Sequence, residues 1–246
     1  MDPRLWAATE ALFAVGAALM AAGHAKARGG LRARRLDWVK FAVYFVLIHV
    51  LLVFASSGRA LTLALLSCFW VAGTREAVSC RRRLPRGLAV LPPALLAVGF
   101  AHALLAPGPD WRASFAFLML LVAATDSYAQ LCGKLWGTRR PFPTLSPNKT
   151  AEGILGGIGA ALVVGWACGF LAPGYSVPER VLIGIATSAA CVAGDLIFSA
   201  VKRRARIKDF SAVLPGHGGI LDRFDSMALA APVYVWSRTL LHGLPS

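Results

Sequence analysis

Charged residues, and acidic ones above all, are scarce in this chain. Of its 246 residues only 15% are charged, and 12 Asp and Glu stand against 26 Lys and Arg. Apolar residues make up 57%, and the mean hydropathy of +0.62 is far above what a water-exposed surface tolerates. This composition excludes a disordered basic tail and disfavours an ordinary soluble domain. The long apolar runs instead predict an all-α integral membrane protein.

Cysteine is scarce as well, and its spacing indicates neither a metal site nor a redox motif. The five cysteines contain no C-x-x-C pair, and four of them lie within or beside apolar segments. Packing is therefore their predicted role. The sequence also lacks internal repeats and low-complexity segments other than the Ala and Leu bias of membrane helices.

Eight apolar segments approach the roughly 20 residues that a helix needs to cross a bilayer. We predict about eight transmembrane helices, within a range of seven to nine, at residues 5–23, 40–57, 60–75, 88–106, 112–130, 153–172, 180–200 and 224–242. The third segment is short and is compatible with a tilted or partly interfacial helix. A Pro- and Gly-rich turn near residue 110 divides the chain. Residues 1–110 contain spans 1–4 and few polar motifs, whereas residues 111–246 contain spans 5–8 and a polar signature loop.

The basic residues lie mostly in alternate loops between these segments. All but five of the 26 Lys and Arg fall on one predicted side of the membrane, and the exceptions are Arg4, Arg59, Arg112, Arg180 and Arg238. The positive-inside rule places the basic loops in the cytoplasm and both termini outside. The positive charge is thus explained by topology and by attraction to anionic lipid, and no nucleic-acid partner is expected. We expect a multi-pass protein of the inner (cytoplasmic) membrane.

Acidic residues at membrane depth indicate function by default, because a charge in lipid is costly. Four aspartates map to the cytoplasmic ends of predicted spans 5, 7 and 8: Asp126, Asp195, Asp222 and Asp225. Each one alone is explained equally well by a solvated helix end or by pairing with an arginine. Residues 199–225, here called the signature segment, combine such acids with Lys, Arg and a Pro-Gly-His-Gly-Gly turn whose N–H groups suit an anion. This combination predicts a metal–phosphate site at the membrane surface.

A second polar cluster, residues 145–157, precedes predicted span 6. Ser146 or Thr150 is placed to cap this helix, and the N-terminus of a helix is a natural site for a phosphate. Taken alone, the cluster is explained better by a capped membrane helix with small residues for close packing.

At these residues the sequence resembles the phosphatidate cytidylyltransferase (CDP-diacylglycerol synthase) family. From Ser199 to Asp225 it fills every fixed position of the family pattern S-x-x-K-R-x-x-x-x-K-D-x-x-x-x-L-P-G-H-G-G-x-x-D-R-x-D. It also carries the S-P-x-K-T-x-E-G element at residues 146–153, and an Asp-Ser followed by Gly-Lys-x-x-Gly within residues 126–137. Where the family usually has Gly-Ala-Tyr after Asp-Ser, this chain has Tyr128-Ala129-Gln130.

The resemblance implies transfer of CMP from CTP to phosphatidate, giving CDP-diacylglycerol and pyrophosphate for phospholipid biosynthesis, at an active site facing the cytoplasm. It also implies dependence on Mg²⁺, with room for a second cation, and a homodimer. The residues it implies for catalysis are Asp195, Asp222, Lys202 and Arg223. Those it implies for metal binding are Asp195, Asp222, Asp126 and Asp225. Those it implies for substrate binding are Ser199, Arg203, Lys208, Asp209, His217, Gly218, Gly219, Ser146, Lys149 and Thr150.

Other functions compatible with a membrane protein are kept as alternatives. A divergent paralogue would use the same site on another lipid-phosphate acceptor, and a non-catalytic relative would only bind lipid. A transporter would place charges near the bilayer midplane and show related halves, whereas the acids here map to one face. The motif of the CDP-alcohol phosphotransferases is absent from the sequence.

Overall fold

The structure, a computed structural model, describes residues 2–26, 31–80, 86–104, 111–213 and 218–242. The basic stretches 27–30 and 81–85 lie outside the described residues. Within the described part the secondary structure is helical. The helices are α1 (Pro3–Lys26), α2 (Leu31–Ser57), α3 (Arg59–Cys80), α4 (Arg86–Leu104), α5 (Trp111–Trp136), α6 (Ala151–Ala167), α7 (Val177–Arg204), α8 (Leu221–Phe224) and α9 (Met227–His242), with a 3-10 turn at Gly169–Leu171.

Six of these helices, α1 to α5 and α7, are long and apolar enough to cross a membrane. The α6 and α9 helices are shorter, at 17 and 16 residues. The all-α membrane fold predicted from the sequence is thereby confirmed. The third helix is longer than predicted, since it runs for 22 residues instead of ending at residue 75. It continues because Glu76, near its end, finds hydrogen-bond donors in the signature segment.

Polar contacts distinguish the two ends of the helix bundle. At one end, here called the site end, Asp37 of α2 pairs with Lys134 of α5, and Lys202 of α7 pairs with Asp222 of α8. At the opposite end the arginines of the sparsely charged side make the contacts Arg4–Phe170, Arg59–Trp111, Arg180–Gly169 and Arg238–Ser114. These contacts agree with the alternating helix direction that the charge pattern predicts.

The α5 helix forms the centre of the bundle. Its residues 114–125 are all buried, and they include Phe115, Phe117 and Leu121. Helices α1, α2, α6, α7 and α9 all pack against α5. Because this stretch is enclosed by close-packed neighbours, α5 provides a rigid support for the polar residues that follow residue 125.

Glycines let α6 approach α5 more closely than larger residues would. A Cβ atom at Gly153 would lie 2.6 Å from the carbonyl oxygen of Ala129, and one at Gly157 would lie 2.6 Å from that of Thr125. Small residues at such contacts let helix backbones approach in membranes. The close-packing role that the sequence suggests for this glycine-rich segment is therefore observed.

We predict that Gly157→Ala lowers the free energy of unfolding by about 1–3 kcal/mol, because the added methyl group forces α6 away from α5. Gly159→Ala is the matched control, since no atom lies within 4 Å of a Cβ placed there. Thermal unfolding of both purified variants in the same detergent measures the difference. Equal midpoints for the two variants would contradict this account of the contact.

Candidate active site

The first part of the site is built where α7 ends. The signature segment begins in the last turns of this helix, so Ser199 and Lys202 extend from a regular backbone. Lys202 is buried, and its Nζ donates to Oδ1 of Asp222 at 2.8 Å and lies 3.6 Å from Oδ2 of Asp225. An ammonium group removed from water requires such opposite charges. The signature lysine and two signature aspartates therefore form one buried cluster.

Asp222 also folds the signature segment back onto itself. Its Oδ2 accepts hydrogen bonds from the backbone N–H groups of Phe210 and Gly219, each at 2.9 Å. Gly218 adopts a φ of +79°, a left-handed conformation that favours glycine. A Cβ atom at Gly218 would lie 2.8 Å from Oδ2 of Asp222. Gly218 and Gly219 therefore allow the turn in which the backbone N–H of Gly219 reaches the carboxylate of Asp222.

Two further carboxylates, from α5 and α7, lie beside this cluster. Asp126 accepts from the hydroxyl of Ser226 at 3.1 Å, which joins α5 to the start of α9. Asp195 accepts from Ser199 at 3.4 Å. A Cβ atom at Gly194 would lie 2.6 Å from the carbonyl oxygen of Asp225 and 3.2 Å from that of Ser226, so the backbone beside Asp195 adjoins the one that carries Asp225 and the partner of Asp126. Aspartates from three parts of the sequence are thus brought together.

The second polar cluster of the sequence joins the same site through Lys149. Thr150 caps α6 by accepting from the N–H of Gly153 at 3.1 Å, as the sequence predicts. Lys149 extends from this cap, and its Nζ lies 2.7 Å from Oδ2 of Asp195 and 3.4 Å from the carbonyl oxygen of Val192. Ser146 holds the turn before the cap by accepting, through its carbonyl oxygen, from the N–H of Lys149 at 3.1 Å.

Glu152, in the first turn of α6, connects this cluster to the end of α5. Its carboxylate accepts from the hydroxyl of Thr138 at 2.6 Å and from the backbone N–H groups of Thr138 and Arg139. These hydrogen bonds, the Thr138 hydroxyl first, lower the pKa of Glu152 to about 2. Glu152 therefore stays ionised at neutral pH and holds the turn after α5 against the start of α6.

The remaining predicted residues lie around this buried group. Arg203 is exposed, and its Nε donates to the carbonyl oxygen of Leu145 at 3.2 Å, which links the two polar clusters. Arg223 is partly buried and close enough to Asp126 and Asp225 for their charges to interact. Lys208 and Asp209 are exposed on the loop that follows α7. His217 lies outside the described residues.

Sequence reasoning missed two residues that complete the arrangement. Ser226 directly follows the signature segment, and its hydroxyl donates to Asp126. Its place next to that segment is the only feature of the sequence that would have pointed to it. Glu76 lies in α3, within the half of the chain that has few polar motifs, and contacts the signature segment. An acid inside an otherwise apolar span is the signal that would have found it. Tyr128, where the chain departs from the family pattern, donates to the carbonyl oxygen of Leu12 on α1 at 3.0 Å.

The four predicted metal ligands differ in how well their carboxylates suit a cation. Among the described residues, no three His, Cys, Asp or Glu side chains converge closely enough to hold one ion. Both oxygens of Asp222 already accept hydrogen bonds from Lys202 and the backbone. The Asp126, Asp195 and Asp225 carboxylates offer the oxygen donors that hard divalent cations prefer. They are the part of the predicted metal set that suits such an ion.

We predict that Asp222→Ala lowers the free energy of unfolding by about 3–5 kcal/mol, because it removes the nearer of two carboxylates from a buried ammonium and leaves two backbone donors unpaired. Asp195→Ala is the comparison, and its cost is expected to be about 1 kcal/mol or less because its ion pair with Lys149 is partly exposed. Thermal unfolding in detergent measures both. A loss at Asp195 as large as that at Asp222 would contradict the assigned roles.

Several known proteins are similar to this chain. The cytidylyltransferase family model matches residues 7–241. A Helicobacter pylori phosphatidate cytidylyltransferase is 36% identical over 208 residues, which are 82% of this chain and 75% of that protein. A Haemophilus influenzae phosphatidate cytidylyltransferase is 38% identical over 123 residues, 48% of this chain and 43% of that protein. An uncharacterised Escherichia coli protein, YnbB, is 37% identical over 120 residues, 49% of this chain and 40% of that protein.

The matched segment thus spans less than half the length of the last two relatives. The family match, in contrast, extends over almost the whole chain and includes the helices that carry few polar motifs. The chain belongs to the cytidylyltransferase family.

Proposed function

We propose that this protein transfers CMP from CTP to phosphatidate, with CDP-diacylglycerol and pyrophosphate as products. The observation that carries the proposal is that two separate motifs meet at the end of α7. Lys202, Asp222 and Asp225 of the signature segment form the buried cluster, and Lys149, from the segment before α6, pairs with Asp195 one turn before Ser199. The names of the Helicobacter pylori and Haemophilus influenzae relatives supply the substrate.

The cluster suits the chemistry of this reaction. A phosphate oxygen of phosphatidate forms a bond to the α-phosphorus of CTP. The bond from that phosphorus to the oxygen that bridges it to the β-phosphorus breaks, and this oxygen leaves with pyrophosphate. The attacking oxygen is already anionic, so no general base is needed. The obstacles are repulsion between two polyanions and the charge on the leaving pyrophosphate, and fixed positive groups lower both.

Several cations of the site are placed for this task. Lys149 and Lys202 each contact carboxylates in the cluster and can exchange that partner for a phosphate. The Nε of Arg223 is buried and has no hydrogen-bond partner among the described residues. A guanidinium with an unused donor suits a phosphate oxygen. We assign Arg203, which is exposed beside Leu145, to the entrance of the site.

We also propose that Mg²⁺ is required, bound mainly through the phosphates of CTP, with one or two of the carboxylates of Asp126, Asp195 and Asp225 as its protein ligands. When bound, the ion supplies charge neutralisation on the phosphates of the leaving group. Asp222 is assigned to the fold of the signature segment instead, because the backbone and Lys202 use both of its oxygens. The carboxylates outnumber the neighbouring ammonium groups, which is compatible with a second cation.

The position of the site fits two substrates that arrive from different phases. The cluster lies at the site end, and the topology predicted from the sequence assigns most Lys and Arg to the same side of the membrane. We propose that this end faces the cytoplasm from the inner membrane, in accordance with the positive-inside rule. CTP then reaches the site from water, while the headgroup of phosphatidate reaches it at the level of the membrane surface.

We predict that the detergent-solubilised protein forms lipid-linked CMP from labelled CTP, phosphatidate and Mg²⁺, and that chelation of Mg²⁺ abolishes the product. Lys202→Met is expected to lower kcat by about 10²–10³, the usual cost of removing a main electrostatic group. Lys40→Met on α2 is the matched control with the same change in charge, and its activity should equal that of the wild type.

The absence of product from folded wild-type protein, across several phosphatidates and Mg²⁺ concentrations, would contradict the proposed function. The same assay with other lipid phosphates then tests the alternative acceptor. Product formation by Lys202→Met at the wild-type rate would contradict the assigned site while leaving the reaction itself supported.

A further inference from the structure

Glu76 is a buried acid in the last turns of α3, a helix that otherwise belongs to the apolar part of the bundle. It is 7% exposed. Its carboxylate accepts three hydrogen bonds, from the hydroxyl of Ser211 at 2.7 Å and from the backbone N–H groups of Ile220 at 2.9 Å and Leu221 at 3.0 Å. All three donors belong to the signature segment.

These donors lie on both sides of the loop in that segment. Ser211 lies on the segment that follows α7, and Ile220 and Leu221 lie where the chain enters α8. Asp222 joins the neighbouring positions, Phe210 and Gly219, in the same way. The carboxylates of Glu76 and Asp222 therefore hold the two ends of this loop together.

The contact is specific for a carboxylate at this position. Three donors need two acceptor oxygens, and hydrogen bonds to an ionised acceptor are about twice as strong as neutral ones. A side chain at Gly219 would collide with the carboxylate of Glu76, so the glycine and the acid fit each other. Cys80, one turn later on α3, adds a contact at 3.8 Å from its Sγ to the carbonyl oxygen of Phe210.

We propose that Glu76 is a positioning residue of the nucleotidyl-transfer site. It holds residues 211 and 220–221 so that Asp222 and Asp225 face Lys202 at the end of α7. This inference rests on the proposed function, and it assigns a role in that function to the half of the chain that has few polar motifs. Glu76 touches the segment that binds substrate and acts through it.

We predict that Glu76→Gln lowers kcat/KM for CTP by about 10-fold to 100-fold, the equivalent of one charge-assisted hydrogen bond. The KM for phosphatidate should stay within about twofold, because the membrane holds its acyl chains. Trypsin cleavage at the exposed Lys208 should be about 10-fold faster in this variant, since the loop opens more often. Ser211→Ala, which removes one donor only, should change both measurements in the same direction by a smaller factor.

The matched control is Thr62→Val, which alters a fully buried polar side chain near the other end of α3. It is expected to lower the unfolding temperature while kcat/KM and cleavage at Lys208 stay at wild-type values. If Glu76→Gln behaves in the same way, Glu76 is only structural and the inference is wrong. An inactive wild type would contradict the proposed function, and the cleavage rates would still show whether Glu76 holds the loop.

Discussion

The arrangement of the site depends on one ammonium group, that of Lys202, being held out of water between carboxylates. Its desolvation would oppose folding unless opposite charges were fixed nearby. Asp222 is fixed because the backbone of residues 210 and 219 donates to it, and Asp225 follows one helical turn later. The signature segment must therefore return to α7 to satisfy this lysine, and α8 and α9 start from where it returns.

The rest of the bundle serves this arrangement by being apolar and closely packed. Buried α5 residues and the glycines of α6 leave little freedom for the helices to shift. At the site end, Glu76 of α3 contacts the signature segment, Asp126 of α5 accepts from Ser226 just after that segment, and Lys149, just before α6, pairs with Asp195 of α7. A site with fixed charges at one end of the bundle follows from this arrangement.

Much of the fold and part of the site could be predicted from local sequence. Apolar runs marked the membrane helices, and the Thr150 cap followed from its place before α6. Glu76 and Ser226 could not be found in this way, because their partners lie 135 and 100 residues away in the chain. The length of α3 was misjudged for the same reason, since its last turns are stabilised by the signature segment and not by their own hydropathy.

The sequence by itself determined that the chain is a helical membrane protein and carries the residue pattern of a cytidylyltransferase, because hydropathy and residue spacing are properties of the chain alone. Only the tertiary structure decided how the four aspartates differ. The oxygens of Asp222 are used by Lys202 and backbone donors, while Asp126 accepts from Ser226 and Asp195 pairs with Lys149. That difference depends on the path of the loop in space, because a carboxylate's role is set by the donors that reach it.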